Sequence, residues 1–84
     1  MSAPDTITVY GADWCGDCRR AKRLLEQRNV PYEWIDVEHD PAKAEEARRI
    51  GGRRNIPVII LPDETVLVEP TDPELDRALN RLPA

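Results

Sequence analysis

A β-rich run, Thr6-Ile7-Thr8-Val9-Tyr10, gives way after Gly16 to apolar residues spaced as on a helix: Cys18, Ala21, Leu24 and Leu25. That change of period predicts a strand over about Thr6–Tyr10 and a helix over about Gly16–Arg28. Asn29-Val30-Pro31 ends the helix, because proline restricts the residue before it. Tyr32–Val37, aromatic and β-branched, is the second predicted strand. Asp40-Pro41 pairs a capping residue with a proline suited to the first helical position. A helix over about Ala42–Ile50 follows, with a thin stripe of Ala44, Ala47 and Ile50, and Gly51-Gly52 stops it. Pro57–Leu61 and Thr65–Val68 flank the turn residues Pro62-Asp63-Glu64, which predicts a hairpin. Asp72-Pro73 repeats the cap-then-proline signal, with Asp72 read as an N-cap. The last helix, about Pro73–Leu82, carries Leu75, Ala78, Leu79 and Leu82 on one face.

Strand–helix–strand at the start demands a parallel, right-handed connection, and the later hairpin adds antiparallel strands. The expected architecture is α/β: a four-stranded mixed sheet flanked by three helices, in a single domain over residues 1–84. At 84 residues, with 40% hydrophobic and 33% charged residues, the chain is near the lower size limit of a self-supporting core. A net charge of −4 disfavours a general nucleic-acid role. No apolar run approaches the roughly 20 residues that span a bilayer, and no signal peptide is visible, so a cytoplasmic location without membrane association is expected.

The chemistry concentrates in Trp14-Cys15-Gly16-Asp17-Cys18, which holds the only two cysteines. A C-x-x-C at a strand-to-helix junction reads as a thiol–disulfide redox site. Unpaired N–H groups and the macrodipole at a helix start favour an anion, and thiolate is the reactive form of cysteine. Cys15 is therefore the expected nucleophile. Cys18, one turn on and inside the helix, is the expected resolving thiol. Asp17 and Asp13 work against thiolate formation, and Arg19, Arg20, Arg53 and Arg54 are available to offset them. Trp14 has polar neighbours and is expected at the rim of the site. Trp34 is expected in packing, and His39 is expected exposed, with no role.

Together with Gly52-Arg53-Arg54-Asn55-Ile56-Pro57 and Glu69-Pro70-Thr71-Asp72, this motif resembles the thioredoxin fold in its smallest form, and more closely the glutaredoxin family. Within that family the chain looks most like the short mycoredoxins and related glutaredoxin-like proteins. The resemblance implies a cis peptide before Pro57 in a loop facing the cysteines, where the Ile56 backbone pairs with an extended thiol or peptide. It favours Arg54 as a carboxylate-binding residue, with a solvated loop residue as the alternative. Glutaredoxins bind the γ-glutamyl end of glutathione through a Gly-Gly and a nearby acidic residue. Here Thr71 and Asp72 stand at that place and the diglycine is missing, although helix-start N–H groups there remain suited to an anion.

The resemblance implies an oxidoreductase with no bound cofactor and no metal, taking a low-molecular-weight thiol as cosubstrate. Mycothiol, glutathione and bacillithiol all remain open, and the missing diglycine favours a thiol other than glutathione. Disulfide-containing proteins are the expected partners of an expected monomer. Direct reduction by a flavoprotein reductase, as for a thioredoxin, is the alternative. A metal or iron–sulfur module is a third reading. It lacks ligands, since two cysteines and one remote histidine fall short of a four-ligand zinc site.

Overall fold

Turn chemistry and side-chain period place each element where the sequence predicts it, within a residue or two. A computed structural model describes residues 6–82. The order is β1 (Ile7–Gly11), α1 (Gly16–Gln27), β2 (Tyr32–Asp36), α2 (Pro41–Gly51), β3 (Val58–Ile60), β4 (Val66–Val68) and α3 (Asp72–Asn80). The sheet order is β2-β1-β3-β4. β1 and β2 run parallel with Ile7 opposite Tyr32 and Gly11 opposite Asp36, and β3 is antiparallel to both β1 and β4. The expected mixed four-stranded sheet with three helices is thus observed.

Alternation along the strands sends side chains to two separate cores. Ile7, Val9, Ile59 and Leu61 pack with Ala21 and Leu25 of α1 and with Leu75, Ala78 and Leu79 of α3. On the opposite face, Tyr10 and Val58 pack with Ala47 of α2. Leu25, Ile59 and Leu75 are among the largest fully buried side chains. The thin stripe of α2 buries only Ala47, and Ile50 stays 37% exposed. Arg28 holds α1 to α3 from outside, donating to Asp76 Oδ1 and Asn80 Oδ1, each at 2.8 Å.

The caps explain where the helices begin and end. Asp40 accepts from the N–H groups of Ala42 and Lys43, and α2 closes at Gly52, whose φ of 81° is left-handed. Asn29 closes α1 with a φ of 56°. At α3 the sequence reading needs a correction. The N-cap is Thr71, not Asp72, which sits in the first helical turn. Thr71 Oγ1 accepts from Glu74 N–H at 3.2 Å, and Thr71 N–H donates to Glu74 Oε1 at 2.8 Å. That reciprocal capping box satisfies two backbone donors, one more than a lone Asp72 cap. α3 also stops at Asn80, two residues short of the predicted Leu82.

Candidate active site

A third, small apolar cluster lies beyond the end of β1 and contains Ala12, Cys15 and Cys18, with Trp34 and Ile56 packed against it. Cys15 is the N-cap of α1, with extended backbone (φ −81°, ψ 120°). Its sulfur accepts from Cys18 N–H at 3.4 Å, and its own N–H donates to Ala12 O at 3.1 Å. A helix-start N–H therefore points at the first sulfur, as the motif predicts.

The two thiols differ in environment. Cys15 is 9% exposed and Cys18 is 0% exposed. Both are free thiols. Burial pushes the Cys18 thiol up to about 12, with smaller upward contributions from Cys15 and Asp17. A backbone hydrogen bond with Ala12 pulls the other way. Cys18 is thus a protonated, sheltered thiol at neutral pH, and Cys15, though largely buried, is the cysteine that keeps some exposure.

Gly11 makes that shelter possible. A Cβ at this position would lie 2.7 Å from Cys18 Sγ and 2.7 Å from the Trp34 ring. Only glycine lets the strand, the buried sulfur and the indole meet there. Trp34 is in packing, as expected, but it also walls the second sulfur, and Lys22 Nζ lies 4.2 Å from its ring centroid. Neither Gly11 nor Trp34 carries a motif that would have assigned it to the site. The nearest signal is a glycine ending a β-rich run.

The Ile56–Pro57 bond is cis, and Pro57 is fully buried. Ile56 reaches the cysteine cluster, so the loop faces the C-x-x-C. Pro57 O accepts from Glu69 N–H at 2.9 Å, whereas the Ile56 backbone makes no hydrogen bond among the described residues. Trp14 is 66% exposed, at the rim. Trp14, Arg53, Arg54 and Ile56 line a cleft of about 450 Å³ whose far wall is Val37, Glu38 and α2.

Thr71 and Asp72 do not line this cleft. The Thr71 hydroxyl and N–H are occupied by Glu74. Asp72 is 3.2 Å from Arg20 Nε, and Arg20 NH1 is 3.0 Å from Asp17. Arg20 therefore balances the carboxylate between the cysteines, as the sequence allowed, and ties the start of α1 to the start of α3. His39 is exposed and pairs with Asp36 at 2.8 Å. Among the described residues no group of three or more His, Cys, Asp or Glu could hold a metal ion. No helix among them is long and apolar enough to cross a membrane.

The chain is similar to known proteins. The glutaredoxin family model matches residues 7–66. A Mycobacterium tuberculosis protein described as a glutaredoxin is 32% identical over 77 residues, which span 90% of this chain and 92% of that protein. Glutaredoxin-like protein NrdH of Escherichia coli is 40% identical over 57 residues, 68% of this chain and 69% of that one. The solved structure of the Escherichia coli NrdH-redoxin, a protein with a thioredoxin-like activity profile, superposes with a TM-score of 0.73. It is 33% identical and spans 94% of this chain and 97% of its own.

Proposed function

The chain belongs to the glutaredoxin family of thiol–disulfide oxidoreductases, and from that premise we propose that it reduces protein disulfides and mixed disulfides by a dithiol mechanism. The observation that carries this reading is the contrast between the two cysteines: Cys15 at the helix start and keeping some exposure, Cys18 fully buried one turn on. Cys15 thiolate attacks one sulfur of the substrate disulfide, forming a mixed disulfide and releasing one substrate thiolate, which takes up a proton. Cys18 gives up its proton and attacks Cys15 Sγ. The second substrate thiol leaves, and the two electrons gained by the substrate are balanced by a Cys15–Cys18 disulfide. Trp14 and Ile56 line the approach, buried Pro57 sets the loop that carries Ile56, and the free Ile56 backbone suits an extended segment bound strand-like beside the sulfur.

The oxidised pair is recharged by a low-molecular-weight thiol acting as cosubstrate, with no bound cofactor. The donor is a thiol other than glutathione, because the diglycine is missing and Glu74 already occupies donors at the start of α3. Arg54, in the cleft beside Ile56, is the residue placed to meet a carboxylate. The likeness to a redoxin with a thioredoxin-like profile favours a second reading, direct reduction by a flavoprotein reductase.

The deciding experiment follows NADPH oxidation with hydroxyethyl disulfide as acceptor in parallel assays. One contains mycothiol and its reductase, one glutathione and its reductase, and one thioredoxin reductase alone. Turnover that requires mycothiol supports the small-thiol reading. Turnover with thioredoxin reductase alone replaces it with the second. Reduction of no disulfide under any donor, with both thiols titratable, overturns the proposal.

A further inference from the structure

Four of the 12 basic residues fall between Arg48 and Arg54, with no acidic residue among them, in a chain of net charge −4. Their placement is what matters. Arg48, Arg53 and Arg54 line the same cleft as Trp14 and Ile56, and Arg49 is their neighbour on α2. Arg53 and Arg54 are exposed and form no ion pair among the described residues. The cleft's own acids are engaged: Glu45 by Arg48, and Glu38 by the Trp14 indole. The Glu45 carboxyl is held below its ordinary range, first by its hydrogen bond with Arg48 and then by the charges of Arg48, Arg49 and Arg54. Arg48, Arg49 and Arg54 thus all act on one carboxylate of the cleft wall. At the opposite edge of the site the balance is not positive, because the single charge of Arg20 is shared between Asp17 and Asp72.

We propose that the cleft bounded by Trp14, Ile56, Arg53 and Arg54 docks an acidic, extended segment flanking the disulfide of the substrate protein. The inference rests on the disulfide-reductase reading and names the partner's chemistry. An extended chain pairs with the free Ile56 backbone beside Cys15, and its next residues run toward α2, under the unpaired guanidinium groups. Asp or Glu side chains there meet planar donors that carboxylates fit well. Basic flanks meet like charge. Electrostatic complementarity of this kind acts chiefly on encounter rate and selectivity, so it appears in kcat/KM more than in kcat.

The test uses the full chain and three synthetic peptides, each joined through its single cysteine to a chromophoric thiol. The residues flanking that cysteine are Asp and Glu, Asn and Gln, or Lys. At an ionic strength of about 0.02 M we expect kcat/KM to fall from acidic to neutral to basic over a span of about tenfold. Screening at about 0.5 M should narrow the span to about twofold. Arg53→Glu/Arg54→Glu should reverse the order, a ratio that any general loss of folded protein leaves intact. Equal rates on the three peptides, a preference for Lys, or an order unchanged in the double variant overturns the docking proposal alone. So does a dimer that the double variant dissolves and whose formation blocks the cleft. Failure to reduce any of the peptides, or hydroxyethyl disulfide, overturns the reductase reading itself.

Discussion

The Trp14 indole N–H donates to the Glu38 carboxylate at 2.7 Å, joining the loop before α1 to the loop after β2 across 24 positions of sequence. Both residues wall the cleft. The loop carrying Glu38 is itself held, since Asp36 Oδ1 accepts from Glu38 N–H at 2.9 Å and its other oxygen meets the His39 ring. A large exposed ring beside Cys15 is thus fixed by a carboxylate that never touches the sulfur.

Glu38 is accordingly a positioning residue. An exposed charge-assisted hydrogen bond is worth about 1 kcal/mol, or about fivefold in a rate. Glu38→Ala should lower kcat/KM for a protein disulfide by about that factor and shorten the indole's anisotropy decay. Glu38→Gln, which keeps an acceptor oxygen, should restore most of both. Wild-type values for the alanine variant in both measurements would detach Trp14 from this partner.

Alkylation should distinguish the thiols. Cys18 is raised to about 12 by burial, so iodoacetamide at pH 7.5 should label the reduced native protein once, at Cys15. Mass analysis locates the label. Cys15→Ser should abolish turnover, and Cys18→Ser should accumulate a mixed disulfide at Cys15. An active Cys15→Ser with a dead Cys18→Ser would reverse the assignment.

Gly11→Ala should destabilise by about 1–3 kcal/mol through overpacking, because its new methyl would lie 2.7 Å from both Cys18 Sγ and the Trp34 ring. Gly16→Ala is the control, since a Cβ there meets nothing within 4 Å. Urea denaturation separates the two, and equal midpoints would mean that Trp34 yields at no cost.

Stability should fall on both sides of neutrality through one half-buried pair. Tyr10 is raised from 10.0 to about 12, first by burial and then by its 2.8 Å hydrogen bond to Glu46. The folded state therefore keeps a proton that the unfolded chain releases, and stability declines as pH climbs from about 10 towards 12. Tyr32 and Cys18 are likewise raised to about 12 and act in the same direction. Glu46 is held below its ordinary value, first by Tyr10 and then by Lys43. Its contribution is present above the unfolded carboxyl value of 4.5 and is lost as pH falls through the lower folded one. Tyr10→Phe should flatten both limbs of a stability–pH curve measured by urea melts, and unchanged limbs would refute the coupling.

Arg20→Ala should cost little stability, within about 1 kcal/mol, because its ion pairs are exposed. It should leave Asp17 unbalanced beside the cysteines. Anionic iodoacetate should then react with Cys15 more slowly relative to neutral iodoacetamide than it does in the wild type. An unchanged ratio would remove Arg20 from the electrostatics of the site.

Local chemistry made most of the architecture legible. Asp40-Pro41 and Gly52 bound α2, the Pro62–Glu64 turn closes the β3–β4 hairpin, and Cys15 caps α1, because each depends on residues within one turn of one another. Asp72 and Thr71 are both good caps, so local pattern alone places the α3 cap one residue late. The choice fell to Glu74, whose side chain reaches back to Thr71 and completes the box.

The sequence by itself determined the order of elements and the strand-to-helix setting of the cysteines, since period, caps and turn residues act over a few positions, whereas the loop that faces them was implied by the family resemblance alone. Only the tertiary structure decided that Trp34 and Gly11 enclose Cys18, that Arg20 bridges two helix starts, and that Trp14 meets Glu38 across a cleft edged with arginine. Those contacts join residues distant along the chain, and no local pattern encodes them. They form only when the packed sheet and helices bring separate loops to the same end of the fold.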